Sequence, residues 1–271
     1  MKQLKIIGLI LVLSPVGQAF GIDQTILGRL HENDPSLTTL DINFNFIIEA
    51  GAVALAESLR LNTSLTVLTL TGNQIGDVGA IALADTLMVN TSLEYLNLCD
   101  NQIGDAGAIA LAGALRINTS LDLLSFGDNH TTAEGFAAIT EALKINTNLK
   151  TICFNNNQIE DAEAVALAEA LRINTSLHSL VLGGHTTPEG FAAITEALRT
   201  NPSLTTLNLM DNQIGDVGAR ALAEALRINT NLKELGIRNS PIGPAGAAAL
   251  ADALKVNKSL THLYLSHTSS T

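Results

Sequence analysis

Tryptophan is absent from this 271-residue chain, and aromatic residues of all kinds make up only 3% of it. A core must therefore be assembled from Leu, Ile, Ala and Val, the main contributors to an apolar fraction of 46%. Charge is also sparse, at 15% of residues against an average of about a quarter. Neither a disordered chain nor a coiled coil fits that balance. Cations are the scarcer sign: Lys and Arg total 15, Asp and Glu 26, for a net charge of -11. Nucleic acid and anionic membranes are held by clustered Lys and Arg. Both are thereby excluded as expected partners, and an electropositive protein surface is the natural counterpart.

Cysteine is nearly missing, with Cys99 and Cys153 alone. A small secreted fold stapled by disulfides would carry more. The glycines form neither GxGxxG nor a GK[ST] phosphate loop, and no ligand cluster has zinc spacing. The expectation is no cofactor, no metal, no catalytic residue, and hence no enzyme. Long apolar runs are missing too. The exception is the N-terminus, where MKQLK is basic, IIGLILVL apolar and SPVGQA rich in small residues. That order predicts a secretory signal peptide over 1–19 and a secreted or exported protein; a buried capping strand or helix is the alternative. The apolar run is too short to span a bilayer, so no membrane insertion of the mature chain is expected.

What the chain has in abundance is itself. The phrase N-T/P/K-S/N-L places a leucine at 65, 93, 121, 149 and 177, then at 204, 232 and 260, after an earlier copy at Leu37. The spacing is 28 residues, except 27 between Leu177 and Leu204. Residues 37–271 thus hold eight full units and a final strand. Each opens LxxLxL, as in Leu93 to Leu98, and that alternation predicts a short strand. An NxI turn follows, as in Asn101-Gln102-Ile103, then GAxALAxALxxN at helical spacing. One such unit cannot bury its apolar face alone, but a stack can. Residues 20–36 precede the first unit, and Ile26, Leu27 and Leu30 predict a capping helix there.

This pattern resembles the leucine-rich repeats of the ribonuclease-inhibitor type, which also occur in Ran GTPase-activating proteins and NOD-like receptors. The resemblance implies an α/β horseshoe solenoid with a parallel sheet on the concave face and helices on the convex face. It implies a non-catalytic scaffold binding a protein partner, and in bacteria a secreted, host-directed one. A regulator of a small GTPase is the alternative. The family's asparagine ladder maps onto Asn45, Asn73, Asn101, Asn129, Asn157 and Asn212, with His185 and Ser240 in that place elsewhere. The repeated GNQIGDVGAIALA is then scaffold. Gly76, Gly104 and Gly215 are expected as helix caps, with Asp77, Asp105 and Asp216 in the first turn, where Pro188 and Pro244 substitute. Arg or Lys three residues after Glu or Asp on the helices, as in Glu141 and Lys144, predicts a solvated row of ion pairs.

Identity then lies on the inward face of the strands. The partner-binding candidates there begin with Asp41, Thr69, Tyr95, Asn97, Asp100 and Asp128. They continue with Asn155, Asn208, Met210 and Asp211, and end with Glu234, Arg238, His262 and Tyr264. Asp100 and Asp128 occupy equivalent places in adjacent units, where two solvated carboxylates are preferred over a cation site. Cys99 and Cys153 fall two strands apart, a separation that predicts two free thiols. Sequons fall at Asn62, Asn90, Asn118, Asn129, Asn174 and Asn257. The last unit stops after its strand, leaving an edge open to self-association.

Overall fold

A computed structural model describes residues 21–157, 160–184 and 187–265. The expected export segment, residues 1–19, lies outside the described residues, as do His185 and the final six. Helix α1 spans Gln24–His31, starting at Asp23, whose carboxylate accepts the Thr25 N–H at 2.8 Å. Leu30 and Leu27 are buried beneath it against the first unit.

The strands are three residues each. They are β1 (Thr39–Asp41), β2 (Val67–Thr69), β3 (Tyr95–Asn97), β4 (Leu123–Ser125) and β5 (Thr151–Cys153). Then come β6 (Ser179–Val181), β7 (Thr206–Asn208), β8 (Glu234–Gly236) and β9 (His262–Tyr264). All pair in parallel, in chain order, in one open sheet. The middle residue of every strand makes one apolar row, Leu40–Leu68–Leu96–Leu124–Ile152 and onward to Leu263. That row is buried through Leu235, while its flanking neighbours stay partly open, as the alternation required. Between strands lie α2 (Glu49–Leu59), α3 (Gly76–Leu87), α4 (Asp105–Leu115) and α5 (Ala133–Leu143). They are followed by α6 (Asp161–Ile173), α7 (Pro188–Thr200), α8 (Gly215–Ile228) and α9 (Pro244–Val256). The scarce aromatics go inside: Phe126, Phe136, Phe154 and Phe191 are buried, and Phe136 meets Phe154 edge-on at 4.9 Å.

The 27-residue step falls between β6 and β7, where Leu180 pairs Leu207. Helix α5 starts three residues after His130, and α7 three after His185. His185, expected as the ladder residue of the sixth unit, lies outside the described residues. Elsewhere the ladder amides donate as expected, although the Oδ1 atoms of Asn101, Asn157 and Asn212 accept no hydrogen bond among the described residues. Asn73 donates to the carbonyls of Leu70 and Ile42, and accepts from the Asn45 and Ile47 N–H groups. A second ladder, read from the sequence only as helix caps, runs through the N-T-S-L asparagines. Asn118 donates to Leu87 and Asn90 of the preceding unit and accepts from Ser120 and Leu121 of its own. Asn62, Asn90, Asn118 and Asn174 are buried in this way.

The helix starts differ from the expectation in an ordered fashion. Asp77 Oδ1 accepts the N–H groups of Gly104 (2.8 Å) and Gly107 (2.9 Å), which open the next helix. Asp105 does the same for Thr132 and Gly135, Asp161 for Thr187, and Asp216 for Gly246. So the repeated aspartate caps the helix one unit ahead as well as sitting in its own first turn. Burial pushes the Asp105 carboxyl up, but hydrogen bonds from Thr132 and Gly135 outweigh it and hold it below its ordinary value. The units that lack this aspartate show the consequence. After Glu49 and after Pro188, helices α3 and α8 open directly on Gly76 and Gly215, both at φ 58°. These glycines are therefore the first helical residues, not caps, and Ile75 and Ile214 precede them. After Ala133, α6 closes its own start, with Glu163 accepting the Glu160 N–H at 3.0 Å. On the outer face, ion pairs join Glu141 to Lys144, Glu196 to Arg199, Glu224 to Arg227 and Asp252 to Lys255.

Candidate functional site

The face of the sheet free of helices collects every residue singled out from the sequence. The first residues of the strands form one row, Thr39–Val67–Tyr95–Leu123–Thr151–Ser179–Thr206–Glu234–His262. The third residues form another, Asp41–Thr69–Asn97–Ser125–Cys153–Val181–Asn208–Gly236–Tyr264. The ladder continues just past the strands, where Asp100 N–H donates to Gly127 and Asp128 N–H to Asn155. That places Cys99, Gly127, Asn155, Met210 and Arg238 in a third row, and Asp100, Asp128 and Asp211 in a fourth.

The fourth row has a backbone explanation. Phe44, Gly72, Asp100, Asp128, Asn156, Asp211 and Asn239 all have φ between 54° and 69°. Asp, Asn and Gly are the residue types that tolerate this left-handed conformation. Asp100, Asp128 and Asp211 are thus selected by the turn, whatever they also offer a partner. Two of them are occupied already, since Asn156 donates to Asp128 at 2.8 Å and Asn239 to Asp211 at 3.0 Å. Phe44 breaks the rule. Its ring lies over Gly72, where a Cβ would come within 2.2 Å of it, and it is exposed. Phe46, at φ 55° and 76% exposed, stands beside it. Sequence reading missed Phe46, whose register follows the turn and not the strand.

The C-terminal end of this face holds a cleft of about 230 Å³ between Met210, Arg238 and Tyr264, with Thr206, Asn208 and Glu234 along its wall. Gly236 contributes no side chain where its row neighbours carry Asn208 and Tyr264. The Asn208 amide leans over it, so a Cβ at Gly236 would meet Asn208 Oδ1 at 2.8 Å. The Arg238 guanidinium sits 5.4 Å over the Tyr264 ring, whose other neighbour is His262, stacked at 6.1 Å. Met210, Glu234, Arg238, His262 and Tyr264 thus converge; Asp41, Thr69, Tyr95 and Asn97 lie along the N-terminal half and do not join them.

The cysteines are free, as expected, but their thiols are not isolated. Cys153 donates its thiol proton to Asn155 Oδ1 at 2.7 Å, and interaction with Cys99 shifts the acidity of both thiols. The separation that predicted free thiols holds, since the two residues belong to units separated by that of β4. Interaction with Cys99 is the largest influence on Cys153 and, against burial, brings its thiol down to about 7; Asn155 and Ser125 add to it. The same interaction, with burial, pushes the Cys99 thiol up. Among the described residues no group of three or more His, Cys, Asp or Glu is arranged to hold a metal ion. No described helix is long and apolar enough to cross a membrane.

A single open parallel sheet, alternating with helices in steps of 28 residues and once 27, and tied by side-chain amides, defines a leucine-rich-repeat protein. The family described as the TMOD/LMOD leucine-rich domain matches residues 20–135, and the leucine-rich repeat family matches 200–223 and 229–251. Chains of solved structures that match number 131. One is a leiomodin-1 fragment described as actin-binding site 2, at 30% identity, covering 46% of this chain and 73% of that chain, with a TM-score of 0.41. Another is the tropomodulin C-terminal domain from Caenorhabditis elegans, at 14% identity over 86% of this chain and 91% of that chain, with a TM-score of 0.34. At these TM-scores neither superposition bears on this chain's curvature or partner. No curated protein matches the chain.

Proposed function

We propose that this chain is a non-catalytic scaffold of the ribonuclease-inhibitor subtype that grips another protein with the open face of its sheet, anchored at the C-terminal end. The observation that carries this is the cleft in which Arg238 and Tyr264 stack beside Met210. Arg and Tyr are the residue types in which interface energy concentrates, most of all where a pocket lets a partner side chain enter. Around that anchor the face is acidic and amide-rich, and the chain carries a net charge of -11. An electropositive protein surface complements it. The GTPase-regulator alternative gains nothing from the N-terminal strands, which present Thr39, Asp41, Val67 and Thr69. Export is part of the proposal and rests on the pattern of residues 1–19. The edge of β9 is where a second copy would add, because Tyr264 and Leu265 stand exposed there.

The test is capture of partners by the intact protein and by a Tyr95→Ala, Arg238→Ala double variant. Actin belongs in the panel, because the matched leiomodin segment is named for actin binding. A partner retained by the intact protein and lost by the variant is the expected result; equal capture by both would overturn the assignment of the face.

A further inference from the structure

We propose that the rim of the solenoid at the C-terminal ends of its helices is a docking surface for a second copy of this chain. The second asparagine ladder builds that rim. Asn90 donates to the Asn62 carbonyl at 2.9 Å, Asn118 to that of Asn90 at 3.2 Å, and Asn174 to that of Asn146 at 3.0 Å. The residue just ahead of each asparagine is thereby held beside its counterpart in the next unit. In five consecutive units those residues are Leu61, Val89, Ile117, Ile145 and Ile173; past Thr200 the row resumes at Ile228 and Val256. The asparagines turn inward and are buried, while the apolar residues stand out in solvent. Leu61 is 84% exposed and Ile117 61%, and the least exposed, Val89 and Ile228, are at 49%.

Apolar residues scattered singly over a surface are ordinary, but an ordered row of them is not. With about half or more of each side chain in water, the row offers roughly 500 Å² of apolar surface, toward the upper end of what monomers expose. An exposed threonine follows the asparagine in most units, as at Thr63, Thr91 and Thr119. It adds a second row and brings the face near the ~800 Å² per partner of a standard interface. Repetition selects the occupant. The apolar side chains recur once per unit, so a surface of different spacing falls out of step within a few of them. A second copy carries the same spacing, and its side chains can seat between these along the whole rim. Such a contact is isologous, with the same patch on both copies, and it closes as a dimer. Charge does not oppose it, although each copy carries -11. Lys144, Arg227 and Lys255 stand directly ahead of Ile145, Ile228 and Val256, and each is paired with an acid three residues earlier. Arg60, Arg116 and Arg172 precede Leu61, Ile117 and Ile173, on stems long enough to keep their charge in water.

The test is sedimentation velocity of the full chain over a concentration series from ~1 to ~300 μM, which brackets micromolar affinities. A monomer–dimer equilibrium is expected. Ile117→Lys combined with Ile145→Lys sets like charges across the rim and should weaken dimerisation at least ~100-fold. Ile117→Val combined with Ile145→Val should retain it. The circular dichroism spectrum of the lysine variant should match the parent's, since both side chains are exposed. Leu265→Lys, at the open edge of β9, should leave the dimer intact, which separates this rim from that edge. A parent that stays monomeric across the series, a lysine variant that dimerises as tightly as the parent, or a dimer lost only in Leu265→Lys would each overturn the assignment of the rim.

Discussion

A carboxylate in one unit decides the backbone of the next. Where Asp77 reaches Gly104, the start of α4 is extended and ordinary, at φ -95°. Where Glu49 occupies the equivalent place, α3 opens on Gly76 at φ 58°. The two glycines stand in the same phrase, IGDVGA and IGDAGA, yet they carry different demands. Gly76→Ala is expected to cost about 1–2 kcal/mol, because a left-handed residue with a Cβ is strained and that Cβ would meet Glu49 Oε1 at 2.8 Å. Gly104→Ala, with its Cβ 3.2 Å from a movable Asp77 carboxylate, should cost less than half as much. Urea denaturation of the two variants measures the difference, and equal losses would refute the hand-over of the cap. The same residue scale shows what the sequence could convey. The exchange of Asp for Pro excluded a phosphate or cation loop, because proline tolerates a helix start and cannot ligate. It could not show that the aspartate works forward into the next unit, since that bond spans 27 residues.

Within each element, the asparagines and cysteines carry the clearest consequences. The strand pattern, the turn and the helix were legible because each has its own period of apolar residues. The second asparagine ladder was not, because a helix-terminal Asn reads locally as a cap. Its burial has a direct chemical result. The side-chain nitrogens of Asn62, Asn90, Asn118 and Asn174 already donate to backbone carbonyls, and Asn129 is likewise buried in the first ladder. Folded protein from a glycosylating host should carry no glycan at these five sequons; peptide mapping that finds one in soluble, folded material would contradict the ladder. At the thiols, the interaction with Cys99 that brings Cys153 down to about 7 leaves much of Cys153 as thiolate near neutrality. Iodoacetamide should therefore modify Cys153 ahead of Cys99, with a rate that climbs as pH rises through about 7 and then levels. Peptide mapping after timed quenching reads this, and a Cys99-first order would contradict it. Untreated protein should show both thiols free, with no cross-linked Cys99–Cys153 peptide.

For the whole molecule, the division of labour is between two surfaces. The outer helices carry repeating ion pairs that a solvated face explains. The sheet face carries side chains that change from unit to unit, and at its C-terminal end they converge on a cleft. Repetition made the architecture readable, since nine copies of one phrase allow few other folds. It hid the cleft for the same reason: the informative residues are those the repeat does not specify, and a glycine such as Gly236 emits no signal of its own. Titration calorimetry with a captured partner tests the central claim most directly. Arg238→Ala and Tyr264→Ala on the sheet face should each weaken binding by about 2 kcal/mol, while Arg116→Ala and Arg172→Ala on the helices should leave it unchanged. Loss of affinity confined to the helix substitutions would contradict the account.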